Sequence, residues 1–195
     1  MGELYALLTA VMWAAAVIFL KRSGETMPPF ALNLFRIALS SAALVITVAA
    51  AGQDLLYPAP LADYLTLFAS GVIAIAVSDT FFLMALNRIG AGIMAIVDCL
   101  YAPSVVFFAF IMLGERLGPW QYAGMGLVIL GVVIASRHEP PPGATVRQIL
   151  VGVLWGVCSM ATVAFGIVLA KPVLGRSPIL WATTMRQLAA LVARM

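Results

Sequence analysis

The chain has 195 residues, 64% of them apolar, with 11 Lys and Arg against 8 Asp and Glu and a net charge of +3. Soluble domains carry roughly 45–50% apolar residues, so this composition excludes an ordinary soluble enzyme and describes a polytopic helical membrane protein. The small, scattered positive charge leaves no nucleic-acid footprint. Cys99 and Cys158 lie in apolar runs with no Cys or His at ligand spacing, so no metal or cofactor is expected.

A spanning helix needs about 20 mostly apolar residues, and turn signals divide the chain into seven such runs. The first, residues 4–20, follows Met-Gly-Glu without Lys or Arg and so lacks the basic start of a secretory signal. It reads as a retained helix, closed by Lys21, Arg22 and Gly24. Pro28 and Pro29 open the second, residues 30–51, since proline at a helix start loses no hydrogen bond. The third covers 64–86, and an Asn87-Arg88-Ile89-Gly90 turn leads into the fourth, 91–113, which Pro103 is expected to bend. The fifth covers 120–136, and the sixth runs from 146 to 170, ended by Lys171-Pro172. The seventh opens at Ile179 and is still running, or just finished, at Met195.

An internal repeat is suggested by two spacings. Pro28 and Arg36 are eight residues apart, as are Pro178 and Arg186, and Trp13 recurs as Trp155 in the preceding helix. A repeat unit of five helices, an odd number, places its second copy upside down in the membrane, as in many secondary transporters. The expected organisation is a five-helix repeat over 1–137, a linker over 138–145, and the first two helices of a second, inverted repeat over 146–195. On that reading the chain is a fragment of a ten-helix fold.

Two carboxylates, Asp79 and Asp98, interrupt the apolar third and fourth runs. Intramembrane acids cost at least about 2.5 kcal/mol to insert and are functional candidates by default. Side A denotes here the face that holds the loop after the first helix, and side B the opposite face. Counting about 1.5 Å per residue puts Arg36, Asp79 and Asp98 at one level, roughly 9–11 Å below side A. Arg36 can therefore pair with either acid. Asn33, Arg36, Ser40 and Thr47 form a polar stripe on the second helix, and Ala91, Ala95, Asp98 and Ala102 a small-residue stripe on the fourth. These stripes are either packing seams or the walls of a cavity in which one acid binds a proton or a cationic group. Two acids for one arginine favour the cavity. Gly152 and Gly156 are spaced for close helix packing, and Glu115-Arg116 reads as a solvated pair at the interface.

Several of these residues, taken in order, resemble the EamA-type domain of the drug/metabolite transporter superfamily. They are Trp13 and Lys21; Pro28, Pro29 and Arg36; Asp79-Thr80-Phe81-Phe82; Ala85 to Ala91; Pro103; and Gly114-Glu115-Arg116-Leu117. The resemblance covers the whole chain. It implies ten helices in two inverted five-helix repeats, a central cavity, and transport of small metabolites. Taken with the common depth, the polar stripe and the internal repeat, the candidate substrate and ion pathway is Trp13, Asn33, Arg36, Asp79, Asp98 and Tyr101, with Pro103 and Glu115 as shaping residues and Trp155 and Arg186 as second-repeat counterparts. Asp98 stands where many members carry an uncharged residue, so its role is not inherited.

The expected function is secondary transport of a small polar metabolite across a bacterial cytoplasmic membrane by alternating access, with protons as a candidate coupling ion. Expected partners are the bilayer, the metabolite and protons. Two other classes stay open: a non-transporting assembly subunit, and an intramembrane enzyme in which Asp79 and Asp98 share a proton. No soluble-type catalytic arrangement is present, so an enzyme is not expected. Lys21, Arg22, Arg88, Arg137 and Arg147 on side A outnumber Arg116, Lys171 and Arg176 on side B, which places side A in the cytoplasm.

Overall fold

The computed structural model describes residues 2–135 and 142–195. All regular structure among them is helical. The first two helices are α1 (Gly2–Ser23) and α2 (Pro29–Ala50). Next come α3 (Leu61–Gly71), a π-helical stretch (Val72–Val77) and α4 (Ser78–Asp98), followed by α5 (Tyr101–Leu113) and α6 (Pro119–Ala135). The last two are α7 (Val146–Leu174) and α8 (Ile179–Val192). The first half of the expected linker at 138–145, with His138, lies outside the described residues.

Leu61–Asp98 is nominally one helical run of 38 residues, about 57 Å at the usual rise and far more than a ~30 Å hydrocarbon core accepts. Gly90 resolves this. Its φ of 74° and ψ of 170° interrupt α4 in a region that glycine adopts without steric cost. The chain reverses there, at the end of the expected Asn87–Gly90 turn. Two α7 glycines confirm the hairpin. A Cβ on Gly152 would lie 2.4 Å from Ile89 Cγ2, and one on Gly156 2.7 Å from Val97 Cγ1. Ser78, on the other arm, exchanges hydrogen bonds of 2.9 Å with Ser159 in both directions. Both arms therefore lie along α7, and Gly152 and Gly156 are the close-packing sites that their spacing suggested.

The arms also fix the sense of each helix. Lys21 Nζ, near the end of α1, donates to Asn87 O at 3.3 Å, and Asn87 Nδ2 donates to Gly24 O at 3.3 Å. The end of α1 thus meets the hairpin turn on side A, where α7 begins. At the other face Trp181, near the start of α8, donates to Leu55 O at 3.0 Å in the loop that follows α2. The pair α7–α8 consequently runs opposite in sense to α1–α2.

Two boundaries and one ion pair differ from the sequence reading. The fourth span does not merely bend at Pro103; it is interrupted ahead of it, at Cys99–Leu100. Pro103 lies in the first turn of α5, where its missing N–H is harmless, but it leaves Cys99 O without its helical donor. Lys171-Pro172 does not end α7, which continues to Leu174 with Pro172 inside its last turn. Glu115 is not paired with its neighbour Arg116. Its carboxylate accepts from Lys171 at the end of α7, while Arg116 lies 5.8 Å above the Phe110 ring.

Packing is uneven. The main apolar cluster joins Leu32, Phe82, Leu83, Leu86, Ile89, Met94 and Met160 near side A. No described side chain of α1 or α6 is buried, as befits helices with one face in lipid. The tightest approach is elsewhere, at Gly71, where a Cβ would fall 2.1 Å from the backbone oxygen of Arg186. Gly71→Ala must push α8 away from α3, at a cost of about 1–3 kcal/mol. Gly124→Ala, with nothing within 4 Å, should leave stability unchanged or slightly raised. Thermal unfolding of the two variants in detergent checks this contrast.

Candidate functional site

Five helices, α1, α4, α5, α6 and α7, line a half-open cavity of about 1010 Å³. Asp79 and Asp98 both face it, one from each arm of the α4 hairpin, together with Trp13, Phe82, Cys99 and Tyr101. Most of the remaining wall is aliphatic, from Val106 on α5 through Val128 and Ile129 on α6 to Val163 and Ile167 on α7. The cavity reaches Ala6 near the start of α1 and Leu117 in the α5–α6 loop, both on side B. Toward side A it ends against the apolar cluster.

The two acids have different partners. Asp79 forms an ion pair with Arg36 on α2. Arg36 stands behind Asp79, outside the cavity wall, and its Nη2 also donates to Asn33 Oδ1 at 3.3 Å. Asn33 is fully buried, and its Nδ2 donates to Thr80 Oγ1 at 3.1 Å and to Ala76 O at 3.3 Å. The α2 stripe is therefore largely a packing seam: Asn33 and Arg36 face α4, Ser40 accepts from Gln187 of α8, and Thr47 is exposed.

The Ala76 carbonyl belongs to the π stretch. It also accepts from Thr80 Oγ1 at 2.9 Å and from Arg194. Wider π turns leave carbonyls less committed to their own helix and often occur beside functional sites. Here the turn precedes Asp79 by two residues.

Asp98 takes part in none of the three ion pairs among the described residues. Its Oδ1 is buried with no hydrogen-bond partner, and Trp13 lines the same cavity. It is the last residue of its half-helix, directly before the Cys99–Leu100 interruption. Interrupted helices in membranes are tolerated where they line a cavity, and this one does.

The remaining sequence candidates distribute as follows. Trp13 packs on Phe82 with ring centroids 5.6 Å apart, and Trp155 on the adjacent Phe81 at 5.0 Å. Tyr101 lines the cavity. Arg186 does not, and its Nε donates to Ser70 Oγ at 2.9 Å. Sequence reading missed Asp63, a buried acid in the first turn of α3 that pairs with Arg176 beyond α7. The bonded carboxylate holds the exposed Arg176 guanidinium above its ordinary pKa. Only Asp63's place in a helix first turn hinted at it. The Ser78–Ser159 exchange and the α6 wall carried no motif at all.

Fold and cavity together define a multi-pass integral membrane protein with two aspartates on the wall of a large intramembrane cavity. The sequence model of the EamA-like transporter family matches residues 1–137, and the chain belongs to that family. A search among curated proteins found no match. Membership makes the bilayer and a small-molecule substrate its partners.

The Arg36–Asp79 pair has a measurable stability signature. Removing one partner of a buried pair costs about 3–5 kcal/mol; with these side chains 33% and 22% exposed, the low end applies. Arg36→Leu should therefore lower the unfolding temperature sharply, and Arg36→Leu combined with Asp79→Leu should recover most of the loss. A double-mutant cycle in detergent measures the coupling.

Proposed function

We propose that the protein is a secondary transporter of a small polar metabolite in a bacterial cytoplasmic membrane. It works by alternating access, with Asp98 occupied in turn by a proton and by substrate. The observation that carries this reading is the carboxylate of Asp98, without a counter-ion, facing a large intramembrane cavity at a break in its helix. A fixed charge in such a place has no packing benefit to offset its desolvation. A group that is neutralised by different partners in different steps does.

Asp79 has the complementary role. Its charge is matched by Arg36, so it fixes α4 against α2 and shapes the chamber floor without exchanging protons. The same pair argues against a protease-like dyad, which needs two acids sharing one proton. The apolar cluster that closes side A, and the chamber that reaches Leu117 on side B, fit a carrier resting with side B accessible. Lys21, Arg22, Arg88 and Arg147 favour side A as the cytoplasmic face. Residues 1–137 act as the first five-helix repeat and 146–195 as the opening of an inverted second, in keeping with the opposed sense of α1–α2 and α7–α8.

The test uses the protein reconstituted in liposomes under an imposed pH gradient. Asp98→Asn should fold with an unchanged unfolding temperature while pH-driven flux falls to the level of empty vesicles. Full pH-driven flux through Asp98→Asn rules out Asp98 as the exchange site.

A further inference from the structure

The charge balance of the chamber defines the kind of substrate that it takes. Of the two carboxylates on its wall, Asp79 is neutralised from behind by Arg36. Asp98 has no such partner among the described residues, and none of their Lys or Arg side chains lines the cavity. Two further guanidiniums are held outside the wall: Arg186 donates to Ser70 Oγ at 2.9 Å, and Arg194 donates to Ala76 O and Thr80 Oγ1. With Asp98 ionised, the chamber therefore carries one uncompensated negative charge among apolar groups. Such a charge is stable only when a cation or a proton joins it.

Two further features act in the same sense. Cys99, the residue after Asp98, lines the cavity and has a carbonyl whose helical donor Pro103 has removed. Trp13, held by Phe82, and Tyr101 bring aromatic rings to the wall that Asp98 lines, and aromatic rings attract ammonium groups. Beyond them Val106, Val128, Ile129 and Ile167 offer only aliphatic contact.

We propose that the substrate is a monocationic amine or ammonium with an apolar body, its nitrogen seated on Asp98 between Trp13 and Tyr101, and that the chamber rejects anions. This rests on the transport reading above and narrows it to metabolites that are polar at one end only.

The experiment is isothermal titration of the protein in lipid nanodiscs with four probes sharing one phenyl ring. They are 2-phenylethylamine, benzyltrimethylammonium, neutral 2-phenylethanol and anionic 3-phenylpropionate. Both cations should bind, and the alcohol and the acid should bind at least ~10-fold more weakly, as loss of a charge-assisted contact implies. Asp98→Asn should lose that preference, Asp98→Glu should keep it, and Trp13→Leu should weaken cation binding by roughly 3–30-fold. The Asp98→Glu variant guards against a trivial folding defect. Failure of both cations to bind, cation affinity unchanged in Asp98→Asn, or the acid or alcohol binding as tightly as the amine each overturns the proposal. Phenylalanine adds one more arm: a zwitterion binding as tightly as the amine would bring Arg186 into the site and overturn the rule against negative groups. Cation binding fails independently of pH-driven flux. Flux that needs Asp98 without cation binding refutes this inference alone; cation binding without such flux refutes the transport reading alone.

Discussion

A carboxylate in the middle of a lipid-embedded helix has to be matched, and the ion pair of Arg36 with Asp79 is the match on which the arrangement depends. It ties α2 to α4 near the level of the apolar cluster. Asn33 extends the tie by accepting from Arg36 and bonding to Thr80 and Ala76. With that arm of the hairpin fixed in rotation, the reversal at Gly90 brings the second arm back along α7, and Asp98 comes to face the same chamber as Asp79. Had Arg36 met Asp98 instead, the chamber would hold a different acid in a different electrostatic setting.

The opposite requirement, close approach without charge, is met on α7. Gly152, Gly156 and Gly166 sit so near Ile89, Val97 and Ala74 that no side chain fits between them, and dispersion contacts replace the hydrophobic drive that lipid cannot supply. The helices facing this seam across the chamber, α1 and α6, have no buried side chains among those described. One wall is thus rigid and the other lightly held, a division of labour suited to a chamber whose walls must part.

Much of the architecture was legible in the sequence because hydropathy and turn chemistry are local. Seven apolar runs, the turn ending at Gly90 and the Gly152–Gly156 seam are all written within a few residues. Depth was legible too, since it needs only counting, and it brought Arg36, Asp79 and Asp98 to one level. Rotation was not, because which acid meets Arg36 depends on how α2 and α4 face each other across 43 residues of chain. The same limit hid the partner of Glu115, which lies 56 residues away at Lys171, and of Asp63, 113 residues away at Arg176. The break at Cys99–Leu100 was half legible. Pro103 announced a disturbance, but a proline is accommodated in a first turn, so the interruption lies before it.

The π stretch at Val72–Val77 acts as a phase shifter in the third span. A wider turn carries one residue more than the α-turn that it replaces, so the helix beyond it is set back by about one residue of rotation, roughly 100°. A face read from α3 therefore does not continue as the same face of α4. Gly71 can press on α8 while Asp79, two turns later, looks into the chamber and back to α2, and no single 3.6-residue stripe joins the two. The offset lets one span serve two neighbours in succession, as a packing surface near side B and as a charged wall near side A.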